Sequence, residues 1–198
     1  MASARRLRKD AARHGPPQMK KHTILFLAAN PSETDRLALD REAHEIQVEL
    51  ERSRWRDRFE LVTRWAAEPR DLLRALRRFA PTVVQFSGHG GHLAADTAPA
   101  GPRFARDVVG DSSHPGAAPC PGLFFQGPDG RPRVVSADAL RDTFGAAGVS
   151  VKLVILNACY SEPAADALLA HVDCVVGMAG SIGDQLRGLT DPVVNGTC

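Results

Sequence analysis

One histidine and one cysteine have the clearest potential for chemistry, because each follows an apolar run of strand length. His89 comes just after the run 82–86, and Cys159 comes just after the run 151–156. A thiol is a weak nucleophile until it ionises, and a neighbouring imidazole or a helix N-terminus favours the thiolate. The pair therefore predicts attack of a cysteine on a carbonyl carbon, with the histidine exchanging protons.

Glycines beside the histidine support the same chemistry. Gly88 and Gly90 flank His89 and let the backbone approach a substrate closely. The N–H groups of Gly90 and Cys159 can donate to a developing oxyanion. Two alternatives stay open: Cys159 is only a small core residue, and the Gly-His-Gly segment is only a turn. Residues distant in sequence meet only in the fold, so the spacing of His89 and Cys159 does not decide between a catalytic pair and these alternatives.

The elements that must position this pair alternate between strands and helices. This alternation indicates a parallel sheet with helices on both faces. We predict strands over 22–29, 59–65, 82–86, 151–156 and 172–178, and helices over about 40–53, from 69 to 80, around 140–144 and after 161. A hairpin is expected between 123–125 and 134–135, around a turn at 127–130. Ligands of such sheets bind beyond the carboxyl ends of the strands, where His89 and Cys159 both fall.

Composition and charge exclude several classes of protein. The chain has 198 residues, of which 43% are hydrophobic and 24% charged, so we expect one globular domain with tails. Residues 1–22 carry seven Lys or Arg and one Asp, a net charge of 7 − 1 = +6, which leaves 18 − 22 = −4 for the remainder. An acidic body and the lack of an apolar run of roughly 18–20 residues predict neither a nucleic-acid partner nor a membrane span.

The cysteines predict reduced thiols rather than disulfides or zinc. The four cysteines, which share no CxxC spacing, are Cys120, Cys159, Cys174 and Cys198. Their number and spacing favour a reducing, cytoplasmic compartment. His92 and Cys120 could join His89 around a metal, but no second ligand pair accompanies them, so we expect no metal and no organic cofactor.

Tails and an insertion surround the predicted domain over 22–185. Residues 1–21 predict a basic, disordered tail, and the Pro-, Gly- and Ala-rich residues 91–121 predict a mobile insertion. Residues 186–198 predict an irregular tail with neither helix nor strand. An alternative start at Met19 would place Lys20 and Lys21 before an apolar run at 23–29, as in a short signal peptide.

Several segments resemble the CHAT family of bacterial caspase-like cysteine peptidases, related more distantly to caspases and separases. The similar segments are 24–31, 35–42, 84–90, 153–159 and 172–185. The resemblance implies an α/β fold, a three-layer caspase-like sandwich with a mostly parallel central sheet. It also implies that residues 186–198 lack the C-terminal helix and last strand found in family members.

The resemblance implies a role for each candidate residue. His89 matches the general base, Cys159 the nucleophile that forms the acyl-enzyme, and Gly90 the residue whose N–H contributes to the oxyanion hole. Asn157 falls where the family lines the pocket for the substrate side chain that precedes the scissile bond. The charged loop residues that are candidates for the same pocket are Asp35, Arg36 and Asp184.

Three functions follow as hypotheses. The first is a cysteine endopeptidase that hydrolyses protein or peptide substrates through a thioester, with a separate activating or sensor protein as a further partner. The second is a truncated, catalytically inactive interaction module of the same fold. The third is a nucleotide-binding domain, which the sequence disfavours because it has neither GxGxxG after the first strand nor a GxxxxGK[ST] motif.

Overall fold

A computed structural model describes residues 21–91, 122–148 and 151–180. In chain order, the elements are β1 (His22–Ala28), α1 (Leu39–Arg52), β2 (Phe59–Arg64), α2 (Pro69–Phe79), β3 (Val83–Ser87), β4 (His89–Gly91), β5 (Gly122–Gln126), β6 (Pro132–Ser136), α3 (Ala137–Ala147), β7 (Leu153–Asn157), α4 (Glu162–Leu168) and β8 (Cys174–Val176). Within these residues no helix is long and apolar enough to cross a bilayer.

The central sheet has five parallel strands in the order β2-β1-β3-β7-β8. β3 and β7 are neighbours, and their register pairs Val83 with Leu153 at one end and Ser87 with Asn157 at the other. The carboxyl ends of these two strands therefore lie side by side at one edge of the sheet.

Helices cover both faces of this sheet because the strand side chains alternate between them. Leu25 and Leu27 of β1 point to one face, which we call the major face, and pack with the buried side chains of α2, α3 and α4. Phe26 and Ala28 point to the other, the α1 face, and pack with residues of α1. The layers are thus helices, sheet and helix.

A second, antiparallel sheet follows β3 directly, in the order β4-β5-β6. Its hairpin joins the main core, since Phe125 of β5 lies with its ring centroid 4.9 Å from that of Phe86 in β3. His89 of β4 pairs with Phe124 of β5. The strand that carries His89 is therefore an edge strand of the second sheet and follows directly on β3.

The fold class predicted from the sequence is confirmed: a mostly parallel central sheet with flanking helices. Two details differ. The Gly-His-Gly segment is not only a turn, because its last two residues, His89 and Gly90, belong to the short strand β4, whose partner β5 lies distant in sequence. The last strand spans only Cys174–Val176 rather than 172–178, because only that stretch pairs with β7.

Several predictions fall on residues outside the described ranges. These include the basic tail apart from Lys21, the insertion beyond Gly91 and the C-terminal tail with its missing helix and strand. The individual residues concerned are His92, Cys120, Asp184 and Cys198. The domain boundaries stay predictions.

Candidate active site

His89 and Cys159 follow the neighbouring ends of β3 and β7. Beyond the last paired residues of the two strands, the N–H of Gly88 donates to the carbonyl oxygen of Asn157 over 3.2 Å. Each candidate residue lies two positions beyond the Ser87–Asn157 pair. The structure therefore brings both candidates to the same edge of the sheet.

Gly90 packs directly against the main chain of Cys159. A Cβ atom placed on Gly90 would overlap the Cys159 carbonyl oxygen. A Cβ on Gly88 would lie 2.7 Å from the carbonyl oxygen of Ala29, again too close for any residue but glycine. The two glycines thus allow the backbone on either side of His89 to pass close to its neighbours.

The chain turns sharply after Cys159, and hydrogen bonds secure this turn. Tyr160 adopts a left-handed conformation with φ of 51°, and its N–H donates to the carbonyl oxygen of Gly180 over 3.2 Å. Left-handed backbone at a residue other than glycine is strained and is concentrated at functional sites. The strain here lies next to the half-buried Cys159.

Ser161 anchors the same turn from the interior. The residue is 1% exposed, and its hydroxyl donates to the Leu156 carbonyl over 3.3 Å and accepts the Met178 N–H at 2.9 Å. It stands before α4 as the sequence predicts, but it makes no side-chain cap. Because α4 has only seven residues, we attribute no part of the chemistry to its N-terminus.

The His89 ring is oriented by a main-chain carbonyl group. Its Nε2 lies 2.7 Å from the carbonyl oxygen of Asp35. A carbonyl can only accept, so Nε2 carries the proton and Nδ1 of the neutral ring is left as the proton acceptor. Between described residues no hydrogen bond joins the ring to the Cys159 sulfur; such bonds are often long before substrate binds.

The loop between β1 and α1, which supplies this carbonyl, is bonded to the hairpin of the second sheet. The N–H and hydroxyl of Ser32 both donate to the carbonyl oxygen of Gly130, at 2.8 and 2.9 Å. Glu33 forms an ion pair of 3.4 Å with Arg131. The position of the Asp35 carbonyl therefore depends on contacts with the β5–β6 turn.

Asp35 and Arg36 were candidates because of their charged side chains, and both of these side chains are exposed. Asp35 reaches the site instead through its backbone. Asn30 closes the loop around it, since its side-chain amide donates to the Leu37 carbonyl at 3.2 Å and its oxygen accepts the Leu37 N–H at 3.4 Å.

Asn157, the candidate pocket residue, belongs to a group of polar side chains on the α1 face. One oxygen of Glu42, Oε1, accepts from Asn157 Nδ2 at 3.0 Å, Ser87 Oγ at 2.8 Å and Gln85 Nε2 at 2.6 Å. We call these four residues the Glu42 cluster. Ser87 is fully buried, and Glu42 is half-buried.

Sequence reasoning did not single out Glu42, although a signal was present. The residue lies three positions after Leu39 and four before Ile46, on the stripe of α1 that faces the sheet. A carboxylate on an otherwise apolar stripe must find donors or stay exposed. That conflict indicates a polar contact beneath the helix.

The described residues offer no evident metal site. No group of three or more His, Cys, Asp or Glu side chains among them is arranged to hold a metal ion. Cys159 and Cys174 carry reduced thiols, and Cys174 lies on the edge strand β8 rather than beside His89. Among the described residues at this edge, the groups with potential for chemistry are the Cys159 thiol, the His89 imidazole and backbone N–H groups.

Comparisons with known proteins identify the family. The CHAT domain family model matches residues 1–185. Comparison with curated proteins gave no match. Among solved structures, the chain is similar to a secreted C11 cysteine protease from Bacteroides thetaiotaomicron, "iotapain", with 13% identity and a TM-score of 0.44, over 87% of this chain and 59% of that one. This chain thus spans less than two thirds of that protease. The family match over most of its length shows that the chain belongs to the CHAT domain family.

Proposed function

We propose that the protein is a cysteine endopeptidase that cuts protein or peptide substrates, with Cys159 as nucleophile and His89 as general base. The observation that carries this proposal is the 2.7 Å bond from His89 Nε2 to the Asp35 carbonyl. It orients an imidazole at the sheet edge that also carries a cysteine, and it leaves the other ring nitrogen to exchange protons.

In the proposed reaction, His89 Nδ1 takes the proton from the Cys159 thiol, and the thiolate attacks the carbonyl carbon of the scissile peptide bond. The C–N bond then breaks as the imidazolium returns the proton to the leaving amine. Water, deprotonated by His89, attacks the resulting thioester, which releases the new carboxyl group and regenerates the thiol.

Backbone groups are the proposed donors to the oxyanion and the proposed acceptor for the imidazolium. The N–H groups of Gly90 and Cys159 are proposed donors to the tetrahedral oxyanion, a role supported by the close packing of Gly90 on the Cys159 main chain. The Asp35 carbonyl is the proposed acceptor that stabilises the imidazolium as it forms. His89 can serve as general base without a carboxylate at Nε2, because a carbonyl oxygen also accepts a hydrogen bond from an imidazolium.

The substrate and partners follow as further parts of the proposal. Asn157 is proposed to line the pocket for the side chain that precedes the scissile bond, since it is the last residue of β7 and lies two residues before the nucleophile. A separate activating or sensor protein and a cytoplasmic location belong to the same proposal.

A cysteine-directed acylating probe tests the function. We expect peptide mapping to find the label on Cys159 in the parent protein and in Cys174→Ala, the matched control, which removes another half-buried thiol. Cys159→Ala should take no label, and His89→Ala should react roughly 10³-fold more slowly, as expected when a general base is lost.

Two results would contradict the proposal. Label that persists in Cys159→Ala would show that another group reacts. A folded parent protein that takes no label at Cys159 would favour the inactive interaction module.

A further inference from the structure

We propose that Glu42 is a positioning residue, which ties the carboxyl ends of β3 and β7 together and so sets the placement of His89 relative to Cys159. The inference rests on the proposed function for its kinetic consequences, but its structural part can be tested without any activity. Glu42 touches neither reacting residue and acts through Ser87 and Asn157.

The hydrogen bonds to Glu42 connect β3 and β7 at their carboxyl ends. Ser87 is the last residue of β3 and Asn157 the last of β7, and the two are partners in the sheet register. Both donate to the same carboxylate oxygen, Glu42 Oε1. His89 lies two residues after the end of β3, and Cys159 lies two residues after the end of β7. Movement of one strand end relative to the other would therefore move the two reactive groups apart.

A carboxylate suits this task better than a neutral acceptor. Hydrogen bonds to an ionised oxygen are shorter and roughly twice as strong as neutral ones. One oxygen receives three donors here, including Gln85 at 2.6 Å. The three groups that donate to this oxygen are neutral, and no ion pair of Lys or Arg with Glu42 is present among the described residues.

The backbone that carries Glu42 is itself anchored. Leu39 and Ala43 of α1 are each only 6% exposed and pack against Phe26 and Ala28 of β1. The carboxylate is therefore presented from a packed helix turn rather than from a mobile loop. Removing it would leave the buried Ser87 hydroxyl without its charged acceptor, a costly condition for a buried donor.

Kinetics with a peptide substrate or the cysteine-directed probe give the first test. In Glu42→Ala we expect kcat, or the maximal labelling rate, to fall about 30-fold while KM changes less than about threefold. Glu42→Gln should lose only about threefold, because its amide oxygen can still accept. The matched control is Glu45→Ala, which removes an exposed carboxylate, paired with Arg41, from the same helix.

Hydrogen exchange of the Gly88 N–H gives a second test that needs no activity. This N–H donates to the Asn157 carbonyl and so reports the connection between the two strand ends. We expect its exchange to speed up about tenfold in Glu42→Ala and to stay at the parental rate in Glu45→Ala. If Glu42→Ala does not fold, the same comparison is made with Glu42→Gln, with a smaller expected change.

A double-mutant cycle separates positioning from general stabilisation. If Glu42 acts through Ser87, the combined Glu42→Ala and Ser87→Ala protein should lose little more activity than Glu42→Ala alone. Additive losses with unchanged Gly88 exchange would overturn the inference. So would parental labelling of Cys159 in Glu42→Ala, a result that leaves the peptidase proposal intact. If the parent is never labelled, the peptidase proposal fails, and unchanged Gly88 exchange in Glu42→Ala would separately overturn the positioning role of Glu42.

Discussion

The two faces of the central sheet differ in what they contribute. On the major face, fully buried apolar side chains from α2 and α4, such as Leu76 and Leu168, pack against the strands in one large cluster. On the α1 face, the buried apolar cluster is small, and the polar side chains of the Glu42 cluster lie beside it. Burial supplies stability on the first face, while hydrogen bonds organise the site on the second.

The same strands serve both faces. In β3, Val84 and Phe86 belong to the core of the major face, and Gln85 and Ser87 alternate with them toward α1. Because successive side chains point to opposite faces, neighbouring positions can be altered with different consequences. Stability and site geometry can therefore be separated within one strand, and the following substitutions test that separation.

The largest effect on stability is expected from Leu76→Ala on the major face. Leu76 is fully buried, and its loss should lower the free energy of unfolding by about 3 kcal/mol through lost transfer energy and a cavity. Urea denaturation measures this change. The labelling rate of Cys159 per folded molecule should stay within about twofold of the parental rate, because none of the hydrogen bonds described above for the site involves α2.

Leu169→Ala is the matched control, since that side chain is 41% exposed and its loss should cost far less. A labelling rate that falls tenfold in Leu76→Ala under conditions where the protein is fully folded would break the separation of the two faces.

The apolar periodicity of the sequence was sufficient to predict the layers. Runs such as 151–156 and the stripe of α2 carry the burial pattern, and local signals marked the ends of helices. Pro69 begins α2, Ser136 caps α3 by accepting the Ala139 N–H at 3.3 Å, and Gly148 ends α3 in the left-handed region. These signals are local, so the sequence alone was enough.

The parts of the site that depend on contacts between distant segments were not predictable. A backbone carbonyl such as that of Asp35 has no residue type to mark it, so the sequence pointed to the Asp35 side chain instead. The strand β4 forms only because β5 pairs with it, and the Glu42 cluster joins residues from α1, β3 and β7. Periodicity identifies faces, but it does not state which polar groups meet on them.

A substitution beside the reactive residues should have the opposite effect to Leu76→Ala: it should lower the labelling rate more than the stability. In Gly90→Ala, the new Cβ would overlap the Cys159 carbonyl oxygen, so the backbone beside both reactive groups must move. We expect the labelling rate to fall about 30-fold, equivalent to about 2 kcal/mol, with a smaller loss of stability. The measurement is the second-order rate of labelling of Cys159.

Gly180→Ala is the control for glycine replacement, because a Cβ there meets no atom of the described residues within 4 Å. It should label at the parental rate. If Gly90→Ala also labels at that rate, the close packing of Gly90 on Cys159 has no role in the chemistry.

The smallest effect is expected from Ser32→Ala, which tests the exposed loop that belongs to neither face. The substitution removes the hydroxyl bond to Gly130 and keeps the N–H bond to the same oxygen, so the loop that presents the Asp35 carbonyl is loosened but not released. An exposed hydrogen bond contributes about 0.5–1 kcal/mol, which predicts a two- to fivefold slower labelling of Cys159.

Arg131→Ala, which breaks the exposed ion pair with Glu33, should change the rate still less because such pairs contribute little. If both variants slow labelling equally, the loop is held by its charges, and the comparison of the two faces must then include the hairpin as a third support of the site.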